Sequence, residues 1–168
     1  MFKLRLAKSE DLDEVIVIIR DCQALLHARG VDQWQDGYPS REPLERDVQL
    51  SQGYILERDS QIAAYGALVY GVEQAYLTLP AEKWLSDNPY VTLHRLAVSS
   101  KFRGEGIGAE FFAQMEREAR EHNTRSLRAD THRDNMVMQR LLARMGFTLC
   151  GDVYYGTSHR LGYERVLA

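Results

Sequence analysis

A single mixed α/β domain is what this sequence predicts, and three observations predict it. Apolar residues alternate with polar ones along Phe2–Leu6, and YVTLHRLAV, Tyr90–Val98, is a β-rich apolar run; both patterns mark strands. Apolar residues recur three and four apart from Leu12 to Leu26, and again through Ile107, Phe111, Met115 and Ala119, which marks two amphipathic helices. Between the Tyr90–Val98 strand and the helix of Ile107 runs SSKFRGEGIG, with glycines at 104, 106 and 108 on alternate positions and Arg103 ahead of them. Glycines this dense let a backbone bend sharply or approach a ligand closely. The element order is β α α β β β α β α β β, an α+β fold on a mixed sheet spanning residues 1–168.

Each element has a local cause. After the Phe2–Leu6 strand, Ser9 offers an N-cap, Val15, Ile16, Ile19 and Cys22 continue the apolar face of the first helix, and Gly30 stops it. The loop VDQWQDGYPS, Val31–Ser40, follows. Ser40 is placed to cap a shorter helix running to about Ser51, with Pro43 tolerated in its first turn and Gly53 ending it. YILER and IAAYGALVY read as a hairpin joined by Asp59-Ser60-Gln61. The stretch from Gly71 to Asn88, holding Trp84, has no clear period. Beyond the glycine loop and its helix, SLRADT is a strand and Asn135–Met145 a helix closed by Gly146. FTLCGDVYY and HRLGYERVL, Phe147–Tyr155 and His159–Leu167, are the last two strands.

Composition excludes several classes of function. The chain has 168 residues, 45% of them apolar, 27% charged, and a net charge of −3. A nucleic-acid binder usually shows a basic footprint, so no nucleic-acid partner is expected. The two cysteines, Cys22 and Cys150, lack metal-ligand spacing, so no metal is expected, and Cys22 on an apolar helical face reads as a buried reduced thiol. No apolar run approaches the ~20 residues of a membrane span. The first residues, MFKLRLAKSEDL, do not resemble a signal peptide, so a cytoplasmic protein is expected.

Three ligands suit a glycine loop that opens a helix. ATP fails, because no lysine follows the glycines as a phosphate-binding P-loop requires. A dinucleotide is a closer fit: Gly104, Gly106 and Ala109 satisfy G-x-G-x-x-A, and Asp130 ends the next strand where a ribose-binding acid would stand. That fold needs further βα units, however, and too little chain remains after Asp130. The pyrophosphate of coenzyme A suits the most residues. Unpaired N–H groups and the positive end of a helix dipole favour an anion, and Arg103 adds a fixed charge.

Arg103-x-x-Gly106-x-Gly108 after LHRLAV resembles the R/Q-x-x-G-x-G/A signature of the GNAT superfamily of acyl-CoA-dependent N-acyltransferases. The resemblance continues through Asn135, the helix behind it and Gly146-Phe147, and through the order of elements. It implies a GNAT-like fold and acetyl-coenzyme A as co-substrate. Arg103, Gly104, Gly106, Ile107, Gly108 and Ala109 would hold the pyrophosphate, and the backbone of Leu96, Ala97 and Val98 the pantetheine arm and thioester, on a strand that splays from its neighbour. Asn135 would touch the coenzyme as well as cap its helix. Asp130 stands where some family members carry a glutamate base, with His94 the second candidate and His132 the third. Leu142 stands where many members place a tyrosine that protonates the leaving thiolate, so no acid is assigned; Tyr154, Tyr155 or water is left to serve. Trp34 and Tyr38, near Asp32 and Asp36, would meet a cationic acceptor. The implied reaction is direct attack of a primary amine, on a small molecule or a peptide, in a ternary complex, and family members often pair as homodimers. The alternative is a catalytically weak acyl-CoA-binding sensor or regulatory module, and Leu142 is the residue that keeps it open.

Overall fold

Seven strands and four helices follow the expected order. The structure is a computed structural model and describes residues 1–168. The elements are β1 (Phe2–Leu6), α1 (Leu12–Ala28), α2 (Arg41–Gln49), β2 (Gly53–Arg58), β3 (Gln61–Tyr70), β4 (Tyr90–Val98), α3 (Ile107–Glu121), β5 (Ser126–Thr131), α4 (Met136–Arg144), β6 (Thr148–Tyr155) and β7 (Ser158–Val166). The strands form one sheet in the order β1-β2-β3-β4-β5-β7-β6. β4 and β5 run parallel, whereas β1–β2, β2–β3, β5–β7 and β6–β7 run antiparallel. No helix is long and apolar enough to cross a membrane.

The chain gathers into two compact units. The first comprises residues 1–68 and 95–114. Here α1 lays Leu12, Val15, Ile18 and Ile19 against Leu44 of α2 and against Ile55, Ile62, Tyr65 and Ala97 of the strands. Each of the large apolar side chains, fully buried, contributes about 1.5–3 kcal/mol. The hairpin turn is two residues, Asp59-Ser60, both at positive φ, and Gln61 already belongs to β3. Such turns match the twist of the strands they join. The helix starts differ from the sequence reading. Ser9 does not cap α1; Ser9–Asp11 is one 3-10 turn, and the Asp11 carboxylate accepts from the Lys8 N–H and from Arg5. Ser40 does precede α2, but its side chain makes no capping bond, and Gly53 opens β2 rather than ending the helix.

The second unit comprises residues 69–94 and 115–168. The stretch without a period contains two short 3-10 turns, Gln74–Thr78 and Ala81–Lys83. Its purpose is burial: Ala75, Tyr76, Leu79 and Trp84 form a core with Tyr90 and Val153. Under this cover the Arg128 guanidinium lies 4.0 Å from the Trp84 ring centroid and 3.9 Å from that of Tyr90. It pairs at 3.2 Å with Glu164, which is fully buried and also accepts from Ser126, Ser86 and the Leu85 N–H. A buried charge needs this degree of pairing to be tolerated.

Candidate active site

The glycine loop lies within the first unit, between β4 and α3. Ser100–Phe102 makes one 3-10 turn, with the Ser99 hydroxyl accepting from the Lys101 N–H at 3.3 Å. Gly104 and Gly106 then take φ of +83° and +76°, a conformation side chains disfavour. A Cβ built on either would meet nothing within 4 Å, so the space over the loop is open. The loop is thus a cradle shaped by its own backbone. The Glu110 N–H bonds back to the Gly106 carbonyl at 3.1 Å, so the N–H groups of Ile107, Gly108 and Ala109 precede the first helical bond. The loop's one carboxylate, Glu105, is drawn aside by Arg58 at 2.8 Å, whose guanidinium lies over Phe2 and Phe102. Arg103 is exposed, and its charge is felt by the Cys22 thiol. What remains over the loop is positive: helix N–H groups, the helix dipole and Arg103.

Strand β4 leads into this loop and changes its pairing on the way. Its register with β5 runs from Tyr90 opposite Ser126 to Leu93 opposite Ala129. His94 and Asp130, next along the two strands, are not paired, although β4 continues to Val98 and β5 to Thr131. The paired register therefore ends at Leu93 and Ala129. Arg95 follows at φ 58°, a left-handed step within a strand. Beyond it Ala97 is buried, and Leu96 and Val98 are half-buried. The Val98 carbonyl accepts from the Cys22 thiol at 3.5 Å, and burial pushes that thiol's pKa up.

Asp130 and His94 belong to the second unit. The Asp130 Oδ2 accepts from the Tyr76 and Tyr155 hydroxyls, both at 2.7 Å. Burial, and then the Asp130 charge, push the Tyr76 phenol well above its ordinary value, so it stays a donor. His94 Nε2 lies 2.9 Å from Glu73 Oε2, while Glu73 Oε1 accepts from the Ala75 N–H and the Glu73 N–H donates to the Tyr90 hydroxyl. Glu73 also acts electrostatically on Tyr76, so the two carboxylates, the histidine and the tyrosines form one cluster. His132 turns its Nδ1 to the Asp134 N–H at 3.1 Å. Asn135 caps α4, its side-chain oxygen accepting from the Met138 N–H at 3.2 Å. Leu142 is fully buried in apolar core.

The loop 31–40 lies within the first unit, and its two aromatics differ. Trp34 is partly buried against the α1 core, so it packs the loop down. Tyr38 is 39% exposed, and its hydroxyl accepts from Arg95 Nη1 at 2.8 Å. Asp36 accepts from the Tyr38 N–H at 3.3 Å, and Asp32 is exposed. Sequence reasoning missed Glu73, Tyr76, Asp47 and Arg95. Asp47 left a trace, since it shares a helical face with the apolar Leu44. Glu73 and Tyr76 left none, for they lie in the stretch without a period.

Comparison with known proteins identifies the fold and the family. The family model described as the acetyltransferase (GNAT) family matches residues 19–147. The crystal structure of a GNAT-family acetyltransferase from Streptococcus agalactiae superposes with a TM-score of 0.90 at 33% identity, covering 99% of this chain and 96% of that one. YesJ of Bacillus subtilis, described as an uncharacterised N-acetyltransferase, is 24% identical over 144 residues, 84% of this chain and 79% of its own length. YncA from Salmonella typhimurium, solved with its cofactor acetyl-CoA, shares the fold at a TM-score of 0.67 and 17% identity, covering 99% of this chain and 94% of that one.

Proposed function

The chain belongs to the GNAT family of acetyltransferases, and on that premise we propose that it moves the acetyl group of acetyl-coenzyme A to a primary amine by direct attack in a ternary complex. The observation that carries this reading is the cradle ahead of α3. It has left-handed glycines, open space above them, unpaired helix N–H groups and an exposed arginine, with the loop's single acid held away by Arg58. These features suit a pyrophosphate. Arg103 would hold its charge, and the backbone of Gly104, Gly106, Ile107, Gly108 and Ala109 would line it. Acetyl-coenzyme A, when bound, supplies an acyl group activated as a thioester.

The remaining work falls to the chain. Backbone N–H groups at Leu96–Val98, on the segment of β4 beyond its register with β5, would steady the charge developing on the thioester oxygen, an effect often worth ~3 kcal/mol. The proton of the amine must go to an acceptor. Asp130 is the proposed acceptor, with Oδ2 fixed by two phenols and Oδ1 outside that pair of bonds. His94, oriented by Glu73, is the other. Tyr155, whose hydroxyl donates to Asp130, is the proposed substitute for the tyrosine missing at Leu142. Neither cysteine is a ready nucleophile, since burial pushes both thiols up, which supports direct attack over an acyl-enzyme.

Calorimetry with acetyl-coenzyme A, followed by thiol release across a panel of primary amines and mass spectrometry of the products, tests the reading. The expected result is coenzyme binding and an amine that gains one acetyl group. Binding of NADH without binding of coenzyme A overturns it, and coenzyme binding with no thiol release favours the sensor.

A further inference from the structure

A residue other than glycine holds a left-handed conformation in a strand only when its surroundings over-determine it. Arg95 is such a residue, at φ 58°. Each nitrogen of its guanidinium donates a hydrogen bond. Nε donates to Asp47 Oδ2 at 2.9 Å, Nη2 to Asp47 Oδ1 at 2.5 Å, and Nη1 to the Tyr38 hydroxyl at 2.8 Å. Asp47, 1% exposed, is itself held from two further sides, by the Tyr65 hydroxyl and the Gln52 amide. Tyr65 is fully buried, and that burial, together with the neighbouring Asp47 charge, keeps its phenol protonated as a donor. The guanidinium is therefore tied to α2 and to the loop 31–40, and through Asp47 to β3.

The position of this knot matters more than its strength. Buried ion pairs are weak devices for stability, because removing two charges from water offsets their attraction. A planar fork that engages one carboxylate twice and a phenol once is, by contrast, a strong device for geometry. The fork is fastened at the residue directly ahead of Leu96–Val98, just after β4 has stopped pairing with β5. We infer that Arg95 is a positioning residue: clamped by Asp47 and Tyr38, it holds the left-handed step that presents the Leu96–Val98 backbone to the acyl thioester, and through Tyr38 it fastens the acceptor loop to that same step. This inference rests on the acetyltransferase reading of β4.

Glycine and alanine at position 95 separate the clamp from mere strain. Both lose the fork, but glycine adopts the left-handed step freely and alanine does not. Hydrogen exchange of the ligand-free protein, read by mass spectrometry over fragments containing Leu96–Val98, is the first measurement. In Arg95→Ala these amides exchange about tenfold faster or more, while the cores of α1 and β2 keep the parent's protection. Arg95→Gly lies between. Turnover, measured as thiol release from acetyl-coenzyme A with the best amine of the panel, falls ~10²-fold in Arg95→Ala, as expected for a misplacement near 1 Å. Affinity for coenzyme A itself falls far less than turnover, since the Arg103 loop is untouched and only the hold on the pantetheine arm is loosened, and Tyr38→Phe raises the KM for the amine with little change in that for acetyl-coenzyme A.

Parent-like exchange at Leu96–Val98 in Arg95→Ala overturns the inference. So does faster exchange spread evenly over the chain in step with a lowered Tm, which would make Arg95 a stability residue only. Should Arg95→Ala fail to fold, Arg95→Lys, which keeps the charge and the left-handed cost but loses the planar fork, carries the same comparison, and parent-like exchange there is equally fatal. A parent protein that binds no coenzyme A would sink the acetyltransferase reading instead, a result distinct from any of these.

Discussion

Replacing Asp130 by asparagine separates proton transfer from structure. The two phenols that donate to Oδ2 from 2.7 Å can donate to an amide oxygen in the same place. The charge is lost; the size and the two hydrogen bonds are kept. Bonds to a charged acceptor are worth ~1.5–3 kcal/mol and neutral ones ~1, so the pair loses about 1–4 kcal/mol. That weakens a protein of ordinary stability, ~5–15 kcal/mol, without unfolding it. The chemistry loses more. A lysine-like amine of pKa ~10.4 costs ~4.6 kcal/mol to neutralise at pH 7. A positioned base typically supplies ~10²–10⁴ in rate, or about 2.7–5.5 kcal/mol, which is the same size. Turnover of Asp130→Asn should therefore fall ~10²-fold or more. The rising limb of its activity–pH profile should move upward, toward the pKa of the free amine, because only acceptor already neutral would react. Coenzyme A affinity by calorimetry should stay put. Thiol release against pH, with His94→Gln run beside it, makes the measurement, and the larger loss identifies the proton acceptor. If both variants keep near-full turnover and an unmoved limb, no side-chain base operates and water takes the proton.

Three further outcomes follow from other parts of the molecule. Arg103→Ala should weaken coenzyme A by about 1.5–3 kcal/mol and leave pantetheine, which lacks the pyrophosphate, unaffected in calorimetry; equal losses for both would make Arg103 a structural residue. Glu164→Gln should cost about 3–5 kcal/mol in urea unfolding with an unchanged m-value, because it strands the Arg128 charge between Trp84 and Tyr90, and Tm should fall by about 6–20 °C; a loss under ~1 kcal/mol would show that the two rings alone shelter the guanidinium. The fork of Arg5 on Asp11, with the Lys8 N–H, holds the Asp11 carboxyl below its ordinary value. Its contribution is therefore present above the ordinary carboxylate range and lost as pH falls below ~4, and Asp11→Asn should flatten that part of a stability–pH curve, an unchanged curve counting against it.

Legibility in this chain followed the range over which each cause acts. Ile107, Phe111, Met115 and Ala119 are all buried on one face of α3, because helical spacing is set within a few residues. The glycine loop was legible for the same reason: its left-handed steps need a residue type, and that type is visible at the position itself. The partners of the chemical groups were not. The phenols that hold Asp130 come from 54 and 25 positions away, and the carboxylate that orients His94 from 21. No period links such residues; only the strand order brings them together. Arg95 marks the limit most sharply. A left-handed step without glycine breaks the local rule by which such steps are recognised. What overrides the rule is a carboxylate 48 positions away and a phenol 57 positions away. The residue that looks least remarkable in LHRLAV is thus the one whose conformation depends most on the rest of its unit. A left-handed step inside a strand has to be held by something, and here a side-chain clamp supplies what the backbone by itself disfavours.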